Sequence, residues 1–174
     1  MNEKPTRVLY LDLDGTVRKG FDELGRFVNK KEDVEIFSEA LVQMRKYKLE
    51  GWRIVGITNQ GGVATGQLDY KDMKAAIIET NEQAERLFDK IMVCVHHPEA
   101  KEQEMAVCWC RKPRIGNIVL AAYELGKTYL EYYPPHLSLF VGDRPEDKQC
   151  AENAGIPFME AKDWRTGHVL STNP

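Results

Sequence analysis

The stretch Val8-Leu9-Tyr10-Leu11-Asp12-Leu13-Asp14-Gly15-Thr16 reads as an apolar strand that runs out into two carboxylates, a glycine and a threonine. A parallel strand covered on both faces is built from Val, Leu and Ile, and a charge at its end is costly unless metal or solvent compensates it. Side chains two apart on a strand point to the same side, so Asp12 and Asp14 can converge on one point. Gly15 lets the backbone turn sharply away. One carboxylate to attack phosphorus, a second to move a proton and a divalent cation between them would form a phosphotransfer site. Taken alone, the motif also describes a solvated strand end closed by an Asp-Gly turn, and the rest of the chain has to decide.

Outward from this strand, residues 7–13, 52–58, 90–95, 137–141 and 156–159 read as short hydrophobic strands. Residues 34–47, 70–87, 115–125 and 145–154 read as helices, with Asp33 and Asp69 as caps of the first two. This alternation predicts an α/β fold: a three-layer, Rossmann-like parallel sheet with helices on both faces, in a single domain spanning 1–174. Ligands of such sheets sit beyond the carboxyl ends of the strands, at the switch point. Four polar strand ends are therefore expected along one edge: Asp12-Leu13-Asp14-Gly15, Thr58-Asn59-Gln60, Cys94-Val95-His96-His97 and Gly142-Asp143-Arg144.

Several functional classes are disfavoured. A formal charge of -3 over 174 residues leaves no footprint for general nucleic-acid or membrane binding. No apolar run reaches membrane-spanning length, and residues 1–5 lack the apolar core of a secretion signal. The expectation is a soluble cytoplasmic protein with no membrane partner.

In such a compartment the four cysteines matter through their spacing. Cys94-x-His96-His97, followed by Cys108-Trp109-Cys110, offers three thiols and an imidazole, the closed tetrahedral set of a structural zinc site. Buried inert cysteines and a redox pair are the competing readings. His96 is the expected ligand and His97 the alternative. With no open coordination position the zinc would order residues 98–107 and hold Arg111 and Lys112, which follow Cys110 directly. Cys150 reads as a buried apolar residue. Trp109 reads as packing, with a place in the pocket wall as the alternative.

The remaining strand ends supply phosphate chemistry. Thr58 places a hydroxyl and neighbouring backbone N–H groups where phosphate oxygens could bind, and Lys112 could neutralise a transferring group. Mg²⁺ prefers a few carboxylates with waters and phosphate, which Asp12, Asp143 and the backbone carbonyl of Asp14 could provide. Singly, each has a plainer reading as strand cap, solvated lysine or helix cap; together they point to phosphotransfer.

Asp12-Leu13-Asp14-Gly15-Thr16, Thr58, Lys112 and Gly142-Asp143-(x3)-Asp147 resemble the four ordered motifs of the haloacid dehalogenase (HAD) phosphatases, over residues 8–156. Ile57-Thr58-Asn59-Gln60, Cys110-Arg111-Lys112-Pro113 and the cysteine loop resemble the subgroup of heptose 1,7-bisphosphate and histidinol-phosphate phosphatases. The resemblance implies that Asp12 is the nucleophile and becomes phospho-aspartate. Asp14 would protonate the leaving alcohol and then deprotonate the attacking water. Thr58 and Lys112 would hold the phosphoryl group, Asp12, Asp14 and Asp143 would bind Mg²⁺, and Asn59, Arg111 and Arg144 would contact a small phosphorylated substrate. No large cap domain fits; residues 17–31, 61–69 and 98–107 are the excursions able to cover the site. The subgroup's usual Asn-Gln-Ser-Gly-x-Ala-Arg-Gly is here Asn59-Gln60-Gly61-Gly62-Val63-Ala64-Thr65-Gly66, so Thr65 stands where an arginine would meet a second phosphate.

Two other functions stay open. A 3′-phosphatase for nucleic-acid ends predicts a local basic groove drawn from Arg18, Lys19, Arg111, Arg114 and Arg144. A non-catalytic zinc- and phosphate-binding module would leave the acidic pair without a use.

Overall fold

The computed structural model describes residues 5–129 and 131–168. Strand β1 (Val8–Leu11), buried along its whole length, occupies the centre of a five-stranded sheet in which every pairing is parallel. On one side follow β2 (Arg53–Asn59) and β3 (Lys90–Cys94); on the other, β4 (Leu139–Gly142) and β5 (Phe158–Glu160). The order β3-β2-β1-β4-β5 puts the switch point between β1 and β4, where Leu11 lies opposite Val141.

The two-residue strand period sorts the apolar side chains into two cores. Leu9, Leu11, Ile54 and Val141 face one layer of helices, α2 (Ser38–Leu49), α4 (Tyr70–Gln83) and α7 (Ala161–Arg165). Val8, Tyr10, Val55, Ile57 and Phe140 face the other, α5 (Gly116–Tyr129) and α6 (Pro145–Ala154). The expected three-layer α/β architecture is therefore present. Among the described residues no cap domain is inserted; the connections near the carboxyl edge hold two single-turn α-helices, α1 (Phe21–Leu24) and α3 (Gly62–Thr65), and two 3₁₀ turns, Lys31–Asp33 and Gln103–Met105. No described helix is long and apolar enough to cross a membrane.

Three local expectations are corrected. The helix expected from residue 34 begins at Ser38, because residues 34–37 are taken up by loop pairing: Ile36 bridges Arg18, and the Phe37 N–H donates to the Val17 carbonyl at 3.0 Å. Asp33 consequently caps no part of α2; it accepts from the Asn29 N–H (3.1 Å) and Arg26 Nε (3.3 Å). The second helix stops at Gln83 rather than 87, since Glu85 and Arg86 both turn to φ 56°. Asp69 does cap α4, accepting from the Lys71 N–H at 2.7 Å. Helix α7 carries too few residues to show a period, and it was not foreseen.

Candidate active site

At the carboxyl edge, Asp12 leaves β1 with its N–H donating to the Val141 carbonyl of β4 at 3.0 Å, which seats its carboxylate over the switch point. Lys112, 4% exposed, reaches the same point from the segment after β3. Its Nζ lies 2.5 Å from Asp12 Oδ1 and 2.7 Å from Asp147 Oδ1, and it donates to the Ile57 carbonyl at 2.8 Å. Burial lowers the proton affinity of Lys112, but the two carboxylates outweigh it and hold the ammonium charged. Burial likewise pushes the Asp12 carboxyl well above the usual carboxylate range, with Lys112 opposing the rise.

Asp147, the last residue of the fourth motif, has a role that its spacing alone does not disclose. Its Oδ2 accepts from the N–H groups of Asp143 (3.2 Å) and Arg144 (3.1 Å), and its Oδ1 pairs with Lys112, so it ties the turn after β4 to the lysine. A Cβ on Gly142 would sit 2.4 Å from Asp147 Cβ, which explains a glycine there. Gly15 adopts φ +85°, and a Cβ on it would meet Asp143 Oδ2 at 2.3 Å.

Asp12, Asp143 and Asp147 bring carboxylate oxygens within 4.8 Å of one another. Burial, and Asp147 beside it, push Asp143 up to about 6, and its Oδ1 is buried without a hydrogen-bond partner. An orphaned carboxylate oxygen in an acidic cluster fits a hard divalent cation.

Asp14 is half-buried, and three donors occupy it. Arg18 Nε meets Oδ1 at 2.8 Å, while Arg18 Nη2 (3.1 Å) and Gln60 Nε2 (2.8 Å) meet Oδ2. Gln60 also donates to the Thr58 hydroxyl at 2.9 Å, so Thr58, 1% exposed, lies behind Gln60. Both polar atoms of the Asn59 amide hold the Lys112 backbone, Nδ2 donating to its carbonyl (3.2 Å) and Oδ1 accepting from its N–H (3.1 Å). Arg165 of α7 donates to the carbonyls of Gly15 (2.7 Å) and Thr16 (3.0 Å), clamping the loop after β1. Gln60 stands in the Thr58-Asn59-Gln60 strand end without an assigned role and Arg165 carries no recognisable spacing; their contacts reveal what both do.

Above these groups lies an open cavity of about 910 Å³. Arg111 and Arg144 line it, as do Asp22, Glu23, Glu99 and Glu146. Arg111 donates to the His96 carbonyl at 3.0 Å; Arg144 pairs with Asp22 (3.2 Å) and Asp143 (3.3 Å). The basic groove is not assembled among the described residues: Arg18 is buried against Asp14, Lys19 pairs with Glu35, and Arg114 donates to the Cys108 carbonyl.

The cysteine loop forms a second cluster. Cys94, His96, Cys108 and Cys110 each place a ligand atom within 4.8 Å of the others, and all four cysteines of the chain are free thiols. Cys94 Sγ is 3.7 Å from both His96 Nδ1 and Cys108 Sγ, and Cys110 Sγ is 3.4 Å from His96 Nδ1. A tetrahedron with ~2.3 Å metal–sulfur bonds has edges of about 3.8 Å, so the donor set fits zinc. His97 stands outside the cluster, accepting from the Glu99 N–H at 3.1 Å and lining the cavity. Trp109 lies beside Gly116 at the start of α5 but is 60% exposed and does not line the cavity, so neither packing in the core nor a place in the pocket wall describes it; Cys150 is fully buried, as expected.

The chain matches the family described as polynucleotide kinase 3 phosphatase over residues 7–164. It is 30% identical over 178 residues to the D-glycero-alpha-D-manno-heptose-1,7-bisphosphate 7-phosphatase of Photorhabdus laumondii, covering 98% of this chain and 89% of that protein. A HAD-like phosphatase from Mesorhizobium loti superposes with a TM-score of 0.76 at 25% identity, over 88% of this chain and 71% of that one. The D,D-heptose 1,7-bisphosphate phosphatase of B. bronchiseptica, complexed with magnesium and phosphate, superposes with a TM-score of 0.69 at 25% identity, over 88% and 79%.

Proposed function

Because the chain belongs to the polynucleotide kinase 3 phosphatase family and is a HAD phosphatase, we propose that it hydrolyses a small sugar phosphate or bisphosphate through a phospho-Asp12 intermediate. The observation that carries this reading is the buried meeting of Asp12, Lys112, Asp143 and Asp147 beneath the cavity.

Asp12 attacks phosphorus while Asp14 gives its proton to the leaving alcohol; water then attacks the acyl phosphate as Asp14 takes a proton back. Lys112 faces the charge on the transferring phosphoryl oxygens and loses no solvation in doing so, being already buried. Thr58, whose hydroxyl oxygen accepts from Gln60, keeps its own proton to donate to the same group. Mg²⁺, held by Asp12, Asp143 and the Asp14 carbonyl, would neutralise the remaining phosphate charge. Asn59 holds Lys112 in place, while Arg111 and Arg144 face the rest of the substrate. The cysteine cluster binds zinc and fixes the approach of Arg111 and Lys112.

A bisphosphate, the substrate class named for the heptose relatives, would meet an acidic rim and Thr65 in this cavity, so a single phosphate is the better fit. Hydrolysis with Mg²⁺ across sugar phosphates, sugar bisphosphates, histidinol phosphate and 3′-phosphorylated oligonucleotides tests the proposal. Preference for a sugar phosphate, abolished by Asp12→Asn with folding and zinc content intact, is expected. Full turnover in Asp12→Asn would overturn the nucleophile assignment, and preference for the oligonucleotide would overturn the substrate class.

A further inference from the structure

Arg18 belongs to none of the four motifs, yet its side chain is 1% exposed and its anionic partner is Asp14. Burying a guanidinium is costly unless its donors are satisfied, and here they are aimed. Nε and Nη2 fork onto the two oxygens of Asp14, while Nη1 donates to the Thr80 hydroxyl at 2.9 Å. Thr80 itself donates to the Ala76 carbonyl at 2.7 Å, which anchors the guanidinium on α4. The backbone is pinned as well: the Arg18 N–H donates to the Leu13 carbonyl (2.9 Å), and the Gly15 N–H donates to the Arg18 carbonyl (2.8 Å).

We propose that Arg18 is a positioning residue for catalysis, orienting the Asp14 carboxylate so that Oδ1 is the oxygen that carries the proton. This deepens the phospho-Asp12 reading and rests on it. A carboxylate offers about four lone-pair sites. Two on Oδ2 are taken by Arg18 Nη2 and Gln60 Nε2, and one on Oδ1 by Arg18 Nε, so the open site is on Oδ1. In the first step the Asp12 oxygen–phosphorus bond forms, the ester P–O bond breaks, and the Oδ1 proton passes to the leaving alkoxide oxygen. In the second the water oxygen–phosphorus bond forms, the Asp12 oxygen–phosphorus bond breaks, and a water proton returns to Oδ1. The planar fork fixes the carboxylate plane in a way a point charge cannot.

The test compares esters that do and do not need that proton. For glycerol 2-phosphate, Arg18→Met is expected to lower kcat/KM by about 10- to 100-fold, the cost of a misplaced catalytic group. For 4-nitrophenyl phosphate, whose phenolate leaves unprotonated, kcat/KM falls far less, and a burst of nitrophenolate precedes slowed turnover. Arg18→Lys, which keeps a charge in the site, gives the same selective loss at smaller amplitude. Asp14→Asn with Arg18→Met is no worse than Asp14→Asn alone, because both remove one function. Equal losses on the two esters, additivity in the double variant, or an Arg18→Lys enzyme indistinguishable from the unmodified protein would overturn the proposal. Full turnover in Asp12→Asn overturns the parent reading and this one with it, whereas loss in Asp12→Asn with equal ester losses in Arg18→Met overturns this one alone.

Discussion

Lys112 is the residue on which the acidic pocket depends. It is the ammonium facing both Asp12 and Asp147, each less than 10% exposed. Replacing it by Met leaves two buried carboxylates without their counter-charge, a change that typically costs about 3–5 kcal/mol. For a chain of this length each kcal/mol lowers Tm by about 2–4 °C, so a fall of about 6–20 °C is expected in metal-free thermal melts, with loss of turnover. Gly15 is a second such position. Gly15→Ala would force a side chain into the left-handed region and against Asp143 Oδ2, so hydrolysis should collapse in assays while circular dichroism keeps the helix content.

At the scale of elements, the segment from Cys94 to Lys112 has little regular structure: a single 3₁₀ turn, Gln103–Met105, interrupts it. It brings Arg111 to the cavity and Lys112 to Asp12, and its two ends meet at the cysteine cluster. On the zinc-binding proposal, chelator treatment, or Cys108→Ser, should expose residues 98–107 to limited proteolysis and lower kcat, while the parallel sheet survives by circular dichroism. Proteolysis and turnover unchanged after metal removal would show that packing alone holds the segment. The spacing of the cysteines foretold this knot, since its ligands are close in sequence. Helix α2 starts four residues later than the period suggests for the opposite reason: Val34 and Phe37 mimic a helical period, while Ile36 bridges Arg18 and the Phe37 N–H donates to the Val17 carbonyl.

Across the whole molecule, the C-terminal turn of structure closes one face of the sheet and reaches the site. Trp164 is fully buried against the core that contains Leu9, Leu11 and Met44, and Arg165 next to it clamps the carbonyls of Gly15 and Thr16. Trp164→Ala should cost about 3–5 kcal/mol through the cavity it leaves. Measured by denaturant unfolding, a loss below about 1 kcal/mol would mean that the neighbouring helices refill the space. Arg165 thus links global packing to the orientation of the loop that carries Asp14.

The sequence by itself determined the layered α/β fold, the shared edge for the strand ends at Asp12, Thr58, Cys94 and Asp143, and the cysteine–histidine knot. These follow from strand hydrophobicity, from parallel connection and from ligands near one another in the chain, all of which leave local patterns. Only the tertiary structure decided that Arg18 faces inward onto Asp14, that Gln60 covers Thr58, that Asn59 grips Lys112, and that Arg165 braces the loop from more than a hundred residues away. Each makes at least one contact to another element, Arg18 to Thr80, Gln60 to Asp14, Asn59 to Lys112 and Arg165 to Gly15, so its role is set by which surfaces the core brings together.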